Sequence, residues 1–207
     1  PDRPVWCGEG GTTIRFASAL SLVMAANGLG EANNYELDAC QRLRERPQGP
    51  LIEALETLGL KVEQQPSGES PFLRFRKNGI LGREVTVKAT ASSQYASALL
   101  MVGPRLPEGL ELVLSGGWKN VVSRPYLEMT LAVMADFGIK VKRTRNRLFV
   151  PQGDYTPRTF EVEGDWSSAA FLLSAGFITG RDVILDNLLE NSTQGDRRII
   201  DFLDELQ

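Results

Sequence analysis

An internal repeat limits what this chain can fold into. Phe16-Ala17-Ser18-Ala19-Leu20 recurs as Tyr95-Ala96-Ser97-Ala98-Leu99, an offset of 79, and Arg46-Pro47 recurs as Arg124-Pro125, an offset of 78. Each Arg-Pro pair opens an apolar helix, and the two helices end alike. Thr57-Leu58-Gly59-Leu60-Lys61-Val62 and Asp136-Phe137-Gly138-Ile139-Lys140-Val141 both place a glycine just past the helix and run straight into an alternating strand. A third, truncated copy follows, in which Asp165-Trp166-Ser167-Ser168-Ala169-Ala170-Phe171 echoes Ala91-Ser92-Ser93-Gln94-Tyr95 and Gly195-Asp196 opens a last helix.

Each unit reads strand, helix, strand, helix, then two strands. The strand pair is Lys61–Gln65 with Phe72–Arg76 in the first unit and Lys140–Thr144 with Arg147–Val150 in the second. Helices alternating with strands predict a mixed α/β class. The stretch from Pro151 to Pro157 is the best boundary, which predicts one domain over 1–157 and part of another over 158–207. No run reaches the length of a membrane helix and no signal peptide is visible, so the expected location is cytoplasmic. The chain opens on Pro1 rather than Met and stops directly after an amphipathic run, so it reads as a piece of something longer.

The strand-to-helix junctions carry the candidate chemistry. Val5-Trp6-Cys7-Gly8-Glu9-Gly10-Gly11-Thr12-Thr13-Ile14-Arg15 takes a short apolar strand through a glycine turn into a helix. Unpaired N–H groups at the helix start favour a phosphate or carboxylate, and Arg15 adds a positive charge one turn in. The stretch is not a Walker loop, because no Lys-Ser/Thr pair follows the glycines, and it lacks the third glycine of the dinucleotide fingerprint. The second junction offers Ser92-Ser93-Gln94, either an ordinary serine cap or a set of donors to phosphate oxygens. The third takes a strand at Phe160-Glu161-Val162-Glu163 through Gly164 to Asp165, either a helix cap or a carboxylate at the strand end that handles a proton or a hydroxyl.

Other features read more plainly. Arg46 sits in a charged run and, on spacing alone, reads as solvated rather than as an anion fork. The basic run Lys140, Lys142, Arg143, Arg145, Arg147 reads as a solvated strand edge, ahead of nucleic-acid binding. A net charge of −3 argues against a general nucleic-acid binder. With no histidine in the chain, acid–base chemistry falls to Asp, Glu or Lys, and His-dependent triads and zinc sites are excluded. The two cysteines, Cys7 and Cys40, have neither disulfide-framework nor metal spacing, and Cys7 reads as a buried inert thiol.

Six motifs in one order carry a family resemblance: Gly8-x-Gly10-Gly11-Thr12-Thr13-x-Arg15, Glu45-Arg46-Pro47-x-Gly49, Ser92-Ser93-Gln94, Ser123-Arg124-Pro125-Tyr126, Glu163-Gly164-Asp165-x-Ser167-Ser168-Ala169 and Asn191-Ser192-x-Gln194-Gly195-Asp196. Over essentially its whole length the chain resembles 5-enolpyruvylshikimate-3-phosphate (EPSP) synthase, the shikimate-pathway enzyme inhibited by glyphosate. The resemblance implies an inside-out α/β barrel built of βαβαββ repeats, about two and a half of them present. It implies transfer of enolpyruvyl from phosphoenolpyruvate to the 5-hydroxyl of shikimate 3-phosphate, releasing phosphate, with no metal or organic cofactor.

Carried over by motif, Ser92, Ser93 and Ser123 hold the shikimate phosphate with Tyr126 nearby, and Gln94 lies between the substrates. Gly11, with Thr12 beside it, and Arg46 face phosphoenolpyruvate, which reverses the spacing-based reading of Arg46. Arg15 supports the glycine turn. Asp165 bonds the shikimate hydroxyls and takes the 5-hydroxyl proton.

The chain departs from the family pattern at Glu9, Arg124 and Trp166. It has no counterpart of the family's amino-terminal Lys-Ser segment or of its carboxy-terminal acid, arginine and lysine motifs. The expectation is weak binding of shikimate 3-phosphate without turnover. Three alternatives stand beside this reading: a UDP-amino-sugar enolpyruvyl transferase, a non-catalytic sugar-phosphate binder, and a segment of a larger shikimate-pathway polypeptide.

Overall fold

In the computed structural model, which describes residues 3–28, 35–66, 68–79 and 81–206, the repeat becomes a repeated topology. The first copy runs β1 (Val5–Trp6), α1 (Gly11–Ala26), β2 (Tyr35–Asp38), the one-turn α2 (Gln41–Arg44), α3 (Gly49–Thr57), β3 (Leu60–Gln64) and β4 (Leu73–Lys77). The second runs β5 (Glu84–Val87), α4 (Ser93–Val102), β6 (Leu110–Leu114), α5 (Arg124–Asp136), β7 (Lys142–Arg143) and β8 (Arg147–Val150). Their sheets have the same order, β1-β2-β4-β3 and β5-β6-β8-β7. In each, the first pair is parallel, with Val5 opposite Leu37 and Val85 opposite Leu112, and the others are antiparallel.

Local chemistry sets these elements. Leu110, Leu112 and Leu114 are buried on one face of β6 while Glu111 and Val113 are half-buried on the other, the two-residue period of a strand. Leu73 and Phe75 do the same on β4, and Leu148 and Val150 on β8. Gly59 (φ +100°) and Gly138 (φ +90°) end α3 and α5, adopting a backbone region that side chains disfavour. β7 is an edge strand with Lys142 and Arg143 exposed, Arg143 stacking on Trp118 at 4.4 Å, whereas Arg147 on the interior strand β8 pairs with Glu84 and Glu111.

The helices pack with their starts at one end. α1 lies against α4, and α4 against α5, through small residues. Ser18, Ala19, Ala96, Ser97 and Ala98 are all buried there, and Ser97 Oγ lies 2.8 Å from Thr130 Oγ1. Small side chains allow close approach, and local hydroxyl bonds such as Ser18 Oγ to Ile14 O (2.7 Å) satisfy the polar atoms they bring inside. The buried thiol of Cys7 has its pKa pushed up, first by burial and then by Asp38, as suits an inert core residue.

The chain divides into two compact units, Pro1–Thr156 and Pro157–Gln207. The second holds α6 (Trp166–Thr179), a 3₁₀ turn (Gly195–Arg198) and α7 (Ile199–Glu205). The strand expected before α6, at Phe160–Glu163, does not form. The segment is held by scattered bonds instead, among them Gly164 N to Asn187 O (2.6 Å) and Asn187 Nδ2 to Val162 O (3.0 Å). Val162 is 73% exposed and Ile184 89% exposed, so the apolar positions there have no opposing face among the described residues.

Candidate functional site

The site in the first unit starts from a glycine turn. Gly8 takes φ +60°, and its carbonyl accepts from Cys40 N at 3.1 Å, which ties the exit of β1 to the exit of β2. At Gly11, the first residue of α1, an added Cβ would lie 2.3 Å from Arg46 Nη1 and 2.9 Å from Arg46 Cζ. Arg46 therefore lays its guanidinium over the helix start, and only glycine leaves room for it. Arg46 is exposed, in keeping with the solvated reading from spacing, and its guanidinium also lies against the turn.

Arg15 is 5% exposed. Its Nη1 donates to Gln94 Oε1 at 2.5 Å and its Nη2 to Pro47 O at 3.3 Å. The recorded bonds thus run to α4 and to the start of α3 rather than to the glycine turn it was expected to support. Gln94 Nε2 donates to Thr12 Oγ1 at 2.9 Å, so Thr12, Arg15 and Gln94 form one network across the starts of α1 and α4. Burial lowers the pKa of the Arg15 guanidinium, Tyr95 opposes this, and the nearby charge of Arg46 lowers it further. Arginine stays protonated under any such shift. Among the described residues no carboxylate pairs with Arg15 or Arg46.

Ser92 caps α4, its hydroxyl accepting from Gln94 N at 3.2 Å, so the ordinary cap is real and leaves the hydroxyl proton to donate elsewhere. Ser93 follows in the first turn and is buried. Ser123 heads α5 in the left-handed region (φ 53°, ψ 44°) and makes no side-chain cap bond. A non-glycine residue held there carries strain of about 1–3 kcal/mol, a feature that clusters at functional positions. Val122 N donates to Ala89 O at 3.2 Å, which brings the Ser123 junction beside the Ser92 junction. Tyr126 N donates to Ser123 O at 3.0 Å, placing Tyr126 in the first turn of α5. Arg124 pairs along its own helix with Glu128 at 3.5 Å, and Glu9 is exposed.

The residue that motif reasoning missed is Tyr95. It is 2% exposed, its hydroxyl donates to Pro47 O at 2.9 Å, and Arg15 Cζ sits 5.0 Å from its ring centre. Pro47 O thus accepts from both Arg15 and Tyr95, anchoring the turn that carries Arg46. The signal was in the repeat: Tyr95 stands where the first copy has Phe16, and a hydroxyl gained at a core aromatic position needs a partner.

Asp165 lies in the second unit. It caps α6, with Oδ1 accepting from Ser167 N (3.2 Å) and Oδ2 from Ser168 N (3.1 Å) and Ser168 Oγ (2.6 Å). The Ser168 hydroxyl bond leads in lowering its pKa; burial opposes it, and the bonds from the Ser168 and Ser167 N–H groups lower it further. A carboxylate held this way is a ready acceptor and a poorer base. Trp166 beside it is buried.

A sequence model for EPSP synthase (3-phosphoshikimate 1-carboxyvinyltransferase) matches residues 1–207. The chain belongs to the EPSP synthase family. This family member is 34% identical over 208 residues to the 3-phosphoshikimate 1-carboxyvinyltransferase of Methanothermobacter thermautotrophicus, covering 100% of the chain and 46% of that relative. It is 35% identical to the enzyme of the same name from Photobacterium damsela subsp. piscicida, covering 98% of the chain and 46% of that protein. It is also 34% identical to the pentafunctional AROM polypeptide of Pneumocystis carinii, covering 98% of the chain and 13% of that polypeptide. The fold matches EPSP synthase from Acinetobacter baumannii with a TM-score of 0.69 at 22% identity, over 99% of the chain and 43% of the other. The chain thus spans about half the length of the single-function relatives it matches, and the inside-out α/β fold is that of the family.

Proposed function

We propose that this chain carries the shikimate-3-phosphate-binding part of a 3-phosphoshikimate 1-carboxyvinyltransferase, a cytoplasmic enzyme of aromatic amino-acid biosynthesis, with residues 1–157 as most of the first domain. The observation that carries the reading is the pair Arg15 and Arg46. Two guanidinium groups, one buried, meet at the starts of α1 and α4 with no carboxylate partner among the described residues. Such an arrangement calls for an anionic ligand.

Phosphoenolpyruvate lies against Gly11, Thr12 and Arg46. The phosphate of shikimate 3-phosphate takes hydrogen bonds from Ser92, Ser93 and Ser123, with Tyr126 beside it and Gln94 between the substrates. In the reaction the 5-hydroxyl gives up its proton as its oxygen bonds to C2 of phosphoenolpyruvate and C3 gains a proton. Loss of phosphate from C2 and of a proton from C3 then restores the double bond and leaves the enol ether. Here Arg15 and Arg46 offset the negative charge that two phosphorylated substrates bring together. The relation to AROM polypeptides supports a further reading, that the sequence forms part of a larger polypeptide.

The test is a calorimetric titration of the chain with shikimate 3-phosphate, alone and with Ser92→Ala and Ser93→Ala combined. Saturable binding that the double change abolishes is expected. A folded chain that does not bind, or a double variant that binds equally well, would overturn the reading.

A further inference from the structure

Proline has no N–H, so the carbonyl of Pro47 is the one hydrogen-bonding group in its backbone. It stands one residue before Gln48, the cap of α3, and so lies outside the helix ladder, whose first bonds are Leu51 N and Ile52 N to Gln48 O (both 3.0 Å). Whatever holds this carbonyl holds the turn from α2 to α3 just after Arg46. Just before it, Arg46 N donates to Leu43 O at 3.2 Å, and Arg44 is fixed by Asp38 and by its Nε bond to Ala39 O at 3.0 Å. The Arg46 side chain leaves the backbone between these two anchors.

Two side chains reach Pro47 O. The Tyr95 hydroxyl lies at 2.9 Å and Arg15 Nη2 at 3.3 Å, so the Tyr95 bond is the shorter. Tyr95 is 2% exposed, and water competes little for its bond. Gln94, beside it in the first turn of α4, bonds Arg15 and Thr12, so one turn of helix sets the start of α1 and the turn carrying Arg46 in a common frame. All these residues lie in the unit Pro1–Thr156. Phe16 stands at this place in the first copy of the repeat, so the hydroxyl is what the second copy adds.

We propose that Tyr95 is a positioning residue: through Pro47 O its hydroxyl holds the turn so that the Arg46 guanidinium stays over the start of α1, where a phosphate group binds. This rests on the reading of Arg46 as an anion ligand and asks nothing of the second unit. Tyr95→Phe removes only the hydroxyl and keeps the ring whose centre lies 5.0 Å from Arg15 Cζ. A hydroxyl that served stability alone would change the melting temperature and leave the affinity of the folded chain as it was.

The experiment measures inorganic phosphate binding to the whole chain by calorimetry. Parent, Tyr95→Phe, Arg46→Gln and the double variant are compared at a temperature where thermal melts show all four folded. If Tyr95→Phe does not fold, Tyr95→Met removes the same hydroxyl with a flexible side chain that fills irregular space. We expect Tyr95→Phe to bind phosphate about threefold to tenfold more weakly, the scale of one hydrogen bond without a charged partner. Arg46→Gln should bind more weakly still, with no further loss in the double variant. Undiminished binding by Tyr95→Phe, or losses that add independently, overturns the positioning role alone. A parent that binds no phosphate, or Arg46→Gln that binds like the parent, overturns the ligand role of Arg46, and the positioning role with it.

Discussion

Arg15 and Gln94 occupy equivalent positions in the two copies of the repeat, 79 residues apart, and Arg15 Nη1 donates to Gln94 Oε1 at 2.5 Å. The pairing makes the Gln94 carbonyl face the arginine and its amide face Thr12 and the helix starts. A glutamate at this position would give Arg15 the counter-charge that it lacks. Gln94→Glu is therefore expected to melt at the same temperature or higher, while its affinity for phosphoenolpyruvate or inorganic phosphate falls by about tenfold or more. Undiminished anion binding in calorimetry would contradict the placement of the anion.

Gly11→Ala tests the docking of Arg46. The new methyl group would stand 2.3 Å from Arg46 Nη1, so the guanidinium must move. Because the end of a flexible side chain yields cheaply, the loss of stability should stay below about 1 kcal/mol, within the range of surface changes. Phosphoenolpyruvate affinity should drop about tenfold, with shikimate 3-phosphate affinity nearly unchanged. Equal losses for both ligands would show that Arg46 is not selective for one of them.

Gln48 is 3% exposed, and neither polar atom of its side-chain amide has a partner among the described residues. It also makes no cap bond to α3, so its replacement sacrifices none. A buried unsatisfied polar group costs about 1–3 kcal/mol, and methionine has a similar length without that cost. Gln48→Met should raise the melting temperature, by roughly 2–4 °C per kcal/mol for a domain of this size. A fall would mean that the amide has a partner in solution.

Asp38 sets an acid limit on the first unit. Its carboxylate accepts from Ser70 Oγ (2.6 Å), Ala39 N (2.8 Å) and Arg44, which latches the β3–β4 turn to the end of β2. Burial acts to raise its pKa, but the bonds from Ser70, Ala39 N–H and Arg44 outweigh it, and the net shift is downward. The folded state therefore binds this proton less readily than the unfolded chain. The stabilisation is complete above the ordinary aspartate pKa of about 4 and is lost as pH falls through the lowered folded value. Melting temperatures measured from about pH 5 downward should fall more steeply in the parent than in Asp38→Asn. Parallel slopes would remove Asp38 from the acid response.

The sequence determined the repeat, the βαβαββ order of the first two copies, the glycine-terminated helices and the strand-to-helix junctions of those copies, because turn chemistry and periodic burial act over a few residues. It marked Gly11, Ser92, Ser123 and Asp165 as junction residues for the same reason. Which junctions meet was decided only by tertiary packing. Arg46 reads as solvated along the chain, yet the helices bring it over Gly11. Tyr95 reads as core, yet its hydroxyl shares Pro47 O with Arg15. The alternation at Phe160–Glu163 is as regular as a strand, yet it has no sheet face to bury against among the described residues, and it forms no strand. Periodicity states what a segment is able to bury, whereas a contact between residues 79 apart exists only once α1 and α4 have packed side by side.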